Sequence, residues 1–125
     1  MHIILNNSSM VPIYEQVMEQ IKSGIMSGEL KEGDALPSVR SLAAELRISA
    51  LTVKKAYDKL EEESFIVTVH GKGSFVAATD TVLAAEARRQ AAEAKLAEAL
   101  DSVRASGMTR EEIYDLIAIL LEDLS

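Results

Sequence analysis

The chain contains no cysteine, which excludes disulfides and thiolate chemistry and fits a reducing compartment. It lacks an apolar run of about 18 residues, and it has no signal-peptide pattern at its start. The expectation is therefore a cytoplasmic protein with no membrane partner. Also missing are a nucleophile paired with a base, a metal-ligand spacing and a phosphate-cradling glycine loop, so no enzyme, cofactor or metal is expected. Positive charge is scarce as well. The net charge is −7, which argues against a generic nucleic-acid coat. The acidity is uneven, however: Met1 to Thr79 holds eight basic and ten acidic residues, and Asp80 to Ser125 holds five and ten. Within the first part, Lys54, Lys55 and Lys59 face only Asp58, which leaves one locally positive segment. Binding through it would be local, site-specific and salt-dependent.

With 125 residues there is room for one domain and an accessory segment. A core of that size is marginal alone, and a dimer would add buried apolar surface. The informative stretch runs from Leu36 to Val76. Ser38 is placed to cap a helix in which Val39, Leu42, Ala43 and Leu46 recur at helical spacing, ending near Arg47. Ser49 then caps a second helix with Val53, Ala56, Tyr57 and Leu60 inside and Ala50, Leu51, Thr52, Lys54, Lys55 and Lys59 wholly or partly outside. Two helices joined so closely form a helix-turn-helix, whose second helix can enter the major groove. After Glu63 the period becomes alternating. Phe65 to Val69 reads as a strand, Gly71-Lys72-Gly73 as a turn and Ser74 to Val76 as the returning strand. That hairpin is a wing, with Lys72 at its tip and glycines that let the backbone approach phosphate.

These residues carry a resemblance. Leu36-Pro37-Ser38-Val39-Arg40 with Leu42-Ala43, then Thr52-Val53-Lys54, Ala56-Tyr57 and Leu60, then Gly71-Lys72-Gly73-Ser74-Phe75-Val76, resemble the DNA-binding domain of the GntR family of bacterial transcription regulators. Pro12-Ile13-Tyr14 and Gly28-Glu29-Leu30 extend the match to about residues 10 to 78. Several ordered motifs at fixed spacing make this a specific signal. The resemblance implies a winged helix-turn-helix that binds double-stranded DNA.

Before this stretch, residues 1 to 9 read as an arm that either packs on a partner or frays. Pro12 suits the first turn of a helix whose stripe is Tyr14, Val17, Met18, Ile21 and Ile25, stopped by Gly28. Gly33 and Asp34 mark a turn, and Ala35-Leu36 can add a short strand beside the wing. The tail, residues 79 to 125, opens with an alanine-rich helix to about Ala105. Leu96, Ala99, Leu100 and Val103 form one apolar face, and Ala84, Ala87, Ala91 and Ala94 a narrower one. Gly107 ends that helix, and Thr109 with Glu112 forms a capping box for a last helix bearing Ile113, Leu116, Ile117, Leu120, Leu121 and Leu124. The two faces can be buried against a second copy, in a homodimer, or against the winged domain. A tail this short resembles the YtrA subfamily, whose two-helix segment is associated with dimerisation. The fold class expected is mainly α with a small β-hairpin: a winged helix-turn-helix followed by a two-helix dimerisation segment.

The DNA-contacting set expected is Ser38, Arg40, Ser49, Leu51, Thr52, Lys54, Lys55, Tyr57, His70, Gly71, Lys72 and Gly73. Arg40 matches a family arginine that contacts DNA, and its guanidinium fork suits phosphate or guanine edges. Ser49 and Thr52 either donate to phosphate from the helix start or cap it. Lys54 matches a position usually basic in the family, whereas Lys55 reads equally as a solvated lysine. Tyr57 either sends its hydroxyl to a phosphate or packs in the core. His70 is a groove contact or an ordinary surface residue. Three positions depart from the family pattern. Ala50 and Leu51 replace the polar base readers common in relatives, which turns specificity toward thymine methyls and A·T pairs. Ser64 stands where relatives have the glycine that ends the recognition helix. Glu61-Glu62-Glu63 reads as a solvated helix end, since consecutive residues on a helix diverge.

The function expected is a dimeric, sequence-specific repressor acting on an inverted-repeat operator, modulated by a small-molecule effector that no residue identifies. The alternative is a winged-helix protein-interaction scaffold, which the net acidity and the apolar Ala50-Leu51 pair favour and Arg40, Lys54 and the wing oppose.

Overall fold

A computed structural model of the protein describes residues 1–124. Their contacts divide the chain into two compact units, Met1–Glu86 and the residues from Ala87 onward.

In the first unit, α1 (Ile13–Ser27), α2 (Val39–Leu46) and α3 (Ala50–Glu62) precede a hairpin of β1 (Ile66–Val69) and β2 (Gly73–Val76), and α4 (Thr79–Ala105) begins. The core is where the helical stripes meet. Val17 and Ile21 of α1, Leu42 of α2, Val53, Ala56 and Leu60 of α3, and Phe65, Ile66 and Val76 around the hairpin are all buried. Burying a side chain of the size of Leu60 contributes about 1.5–3 kcal/mol, so α3, which supplies four buried side chains, is the hub. Val82 and Ala85 of α4 are also buried, so the winged unit extends into that helix, past the division at residue 78 drawn from sequence.

Helix ends follow local chemistry. Pro12 stands one position outside the helix, at φ −54° and ψ 146°, and its carbonyl accepts the Gln16 amide at 3.1 Å. α1 stops at Gly28, in the left-handed conformation. Ser38 Oγ accepts the Ser41 amide at 3.1 Å, capping α2, and Ser49 Oγ accepts the Thr52 amide at 3.0 Å, capping α3. At the far end of α3 the family's glycine position is built with a serine. Ser64 lies at φ 67°, its amide donates to the Glu61 carbonyl and the Phe65 amide to the Leu60 carbonyl. This is a Schellman turn, closed by burial of Phe65.

The hairpin is antiparallel, with Ile66 opposite Val76 and Val69 opposite Gly73. Gly71 and Gly73 hold φ of 79° and 118°, which side chains with a Cβ rarely adopt, so the tip requires them. The expected extra strand is a single bridge from Ala35 to Phe75, supported by Leu36 donating to Ser74 and Val76 donating to Asp34. The glutamates at the end of α3 are not merely solvated. Glu61 accepts the Thr68 amide at 3.1 Å, and Glu63 pairs with Lys22 of α1 at 2.8 Å, locking the end of α3 to its neighbours.

The arm is tied to α1 through two glutamines. Gln20 accepts the Ile4 amide at 2.9 Å and donates back to the Ile4 carbonyl, while Gln16 accepts the Asn6 amide and donates to the Asn6 carbonyl. Ile3 and Leu5 then rest against the core.

In the second unit α4 ends before Gly107, and the capping box forms as expected. The Thr109 amide donates to the Glu112 carboxylate at 2.9 Å and the Glu112 amide to Thr109 Oγ1 at 3.1 Å; hydrogen bonding to the carboxylate from the Thr109 backbone, and then from its side chain, favours the ionised form and lowers the Glu112 pKa. α5 (Arg110–Leu124) follows. Leu100, Val103, Ile113, Leu116 and Ile117 are half-buried, whereas Leu96, Leu120, Leu121 and Leu124 are exposed, Leu124 by 83%.

Candidate nucleic-acid interface

Three elements of the winged unit bring four of the side chains expected to contact DNA, Arg40, Leu51, Lys54 and Tyr57, to one cleft. α2 begins with Arg40 in its first turn, α3 begins with Ala50 and Leu51, and the hairpin brings up Thr68 and Ser74. Together they line a shallow cleft of about 370 Å³ that also includes Lys54, Tyr57 and Asp58. The wing tip, His70 to Gly73, is exposed.

The polar groups in this region differ in how far they are committed. Among the described residues no carboxylate pairs with Arg40, which is exposed and free to engage an anion. Lys72 is similarly unpaired at the wing tip. Lys54, by contrast, is bound to Asp58 at 2.8 Å, one helical turn on. The locally positive segment read from sequence is thus partly neutralised by Asp58, whose i,i+4 spacing from Lys54 was the available signal. Lys55 turns toward α1, with its ammonium 4.1 Å above the Tyr14 ring. At the start of α3 the Ser49 and Thr52 hydroxyls bond to one another at 2.9 Å.

Tyr57 is the buried member of the set, only 5% exposed. Its hydroxyl donates to the Pro37 carbonyl at 2.8 Å, tying α3 to the residue before the α2 cap. Burial disfavours the phenolate and pushes the pKa up to about 12. The proton is thereby spent inside the protein, so the hydroxyl offers a phosphate no donor while this bond stands. Sequence reasoning left this open, because an inward-facing tyrosine at helical spacing fits both roles.

Comparison with known proteins completes the description. The family described as "Bacterial regulatory proteins, gntR family" matches residues 13–76, from the start of α1 to the end of β2. The chain belongs to the GntR family. Its winged helix-turn-helix is a GntR DNA-binding domain, and its likeness to relatives continues into the tail. It is 32% identical to the HTH-type transcriptional repressor YtrA of Bacillus subtilis (strain 168), over 93% of this chain and 89% of that one. Among solved structures, YtrA from Sulfolobus acidocaldarius, a GntR-family transcription factor, matches with a TM-score of 0.59 at 35% identity, covering 97% of each chain. The DNA-binding domain of AraR in complex with operator ORX1 matches with a TM-score of 0.55 at 29% identity, over 61% of this chain and 95% of that one. This GntR chain is therefore YtrA-like. Among its described residues no helix is long and apolar enough to cross a membrane.

Proposed function

We propose that this GntR protein is a homodimeric transcriptional repressor that binds an inverted-repeat operator, with residues 10–78 contacting DNA and residues 79–125 forming the dimer. The carrying observation is the cleft, where an unpaired Arg40, the exposed first turn of α3 and the wing converge. Support for the dimer comes from Leu96 of α4 and from Leu120 and Leu124 of α5, large apolar side chains exposed to solvent. A two-fold dimer would set two α3 helices about one DNA turn apart and read a palindrome. Within each half-site, Arg40 and Lys72 take phosphate or guanine, the caps Ser38 and Ser49 orient their helix starts toward the backbone, and Thr52, Lys54 and Lys55 adjust around them. Gly71 and Gly73 bring the wing backbone near the adjacent groove, with His70 alongside. Tyr57 acts by holding α3 against the start of α2.

An effector would act by favouring one dimer geometry over another. The place we assign to it is an apolar cavity of about 300 Å³ within the winged unit, bounded by Ile25, Leu30, Val76 and Val82, with Lys31 and Thr79 supplying polar groups. Because Val82 belongs to α4, a ligand there would bear on the helix that leads into the tail.

The test is selection of bound sequences from a random duplex pool by the wild type and by Arg40→Ala, with the mass of the free protein recorded in the same buffer. An inverted repeat, bound by a dimer and lost in the variant, is the expected result. A failure to enrich any motif at low salt would overturn the proposal in favour of an interaction scaffold.

A further inference from the structure

Leu51 is 78% exposed in the first turn of α3. Nothing in the fold needs it there, since it packs against none of the core and its removal from water would have to come from outside the chain. Its surroundings sharpen the point. The Thr52 hydroxyl is engaged with Ser49, and Lys54 with Asp58. Leu51, Lys54 and Asp58 follow at three and seven residues, so they share the outward stripe of the helix. Along this stripe the charges neutralise one another, and the large surface left uncommitted at the helix start is aliphatic.

In the major groove of B-DNA the base edges present donors, acceptors and one apolar group, the C5-methyl of thymine. A leucine docked against a cytosine amino group or a purine edge would strip water from a polar atom without replacing its hydrogen bond, which costs affinity. Against a thymine methyl it gains the burial of two apolar groups. We infer that Leu51 is a specificity-determining residue that reads a thymine methyl in each half-site, selecting an A·T pair at that position. This rests on the regulator reading given above and deepens it by assigning one base.

The experiment starts from the motif enriched by the wild type. Each thymine in that duplex is replaced singly by deoxyuridine, which deletes the methyl and leaves pairing intact, and affinity is measured for the wild type and for Leu51→Ala. One thymine per half-site should weaken wild-type binding about four-fold when demethylated, the effect of burying roughly one carbon. The same replacement should leave Leu51→Ala binding unchanged, because its methyl contact is already gone. Leu51 is exposed, so the variant should melt as the wild type does. If no deoxyuridine replacement changes wild-type affinity by more than about 1.5-fold, or if Leu51→Ala keeps the wild-type sensitivity, the assignment fails while the regulator reading stands. Absence of any enriched motif would overturn both.

Discussion

Replacing Tyr57 with Phe deletes one oxygen, and its consequences can be followed across pH. At neutral pH the variant should be less stable by about 1–2 kcal/mol, because the Pro37 carbonyl loses its donor in a place water reaches poorly. At alkaline pH the wild type should lose this advantage. The hydroxyl titrates near 10 in the unfolded chain and near 12 in the folded one, since burial disfavours the phenolate. Above pH 10 the unfolded chain releases the proton first, so fewer protons are bound unfolded than folded and stability falls as pH rises. The contribution is fully present below about pH 10, declines through the window from 10 to 12, and is gone above it. A two-unit gap sets an upper bound of about 3 kcal/mol, reduced because solvent reaches the part-buried hydroxyl, so the advantage of about 1–2 kcal/mol is lost within this window. Urea unfolding followed by circular dichroism, run on both proteins at several values from about pH 8 to 11, measures this directly. Tyr14, Tyr114 and the lysines are common to both, so their titration cancels in the difference. The gap between the two curves should close as the pH passes 10. Parallel curves over that range would refute the reasoning, for they would mean that the buried hydroxyl is not what resists ionisation.

Two further outcomes follow from features of α3. Ser64→Gly removes a side chain from a left-handed turn at φ 67°, and it should raise stability by about 0.5–1 kcal/mol, read as a higher melting temperature without change in fold. Asp58→Asn frees Lys54 from its ion pair; DNA affinity should rise, and the slope of log affinity against log salt should steepen by up to about 0.9 per released lysine in contact with a phosphate. An unchanged slope would show that Lys54 does not reach the backbone.

Much of this architecture was legible in the residues because several local signals agreed. The stripes of α1, α2 and α3, the caps at Ser38 and Ser49, the glycine tip and the Thr109-Glu112 box each specify one element, and the structure uses all of them. What remained hidden depends on contacts between residues far apart in the chain. Gln16 and Gln20 read as ordinary polar positions on a helix, and nothing local says that they grip residues 4 and 6. Lys22 and Glu63 are separated by 41 positions, so their ion pair lies beyond any pattern of spacing. Lys55 lies on the outer face, as helical angle predicts, but its long side chain follows the nearest ring, here Tyr14. Ser64 is instructive in the opposite sense. Relatives have a glycine here, yet hydrogen bonds from Ser64 and Phe65, with Phe65 buried, outweigh a left-handed serine that costs about 1–2 kcal/mol.

The two glutamines beneath the arm each end in a primary amide. A primary amide has an acceptor and a donor side by side, the same pair that one residue of an extended strand shows to its neighbour. Gln20 and Gln16 present that pair to Ile4 and Asn6, so α1 behaves toward the arm as a fragment of β-sheet edge built from side chains. Such an edge reads backbone and ignores side-chain identity. The exposed side chain of Ile4 is therefore free to drift so long as the chain stays extended, whereas Leu5 stays apolar against the core, and exchanging either glutamine for glutamate would erase the donor and set a carboxylate oxygen against the carbonyl it held.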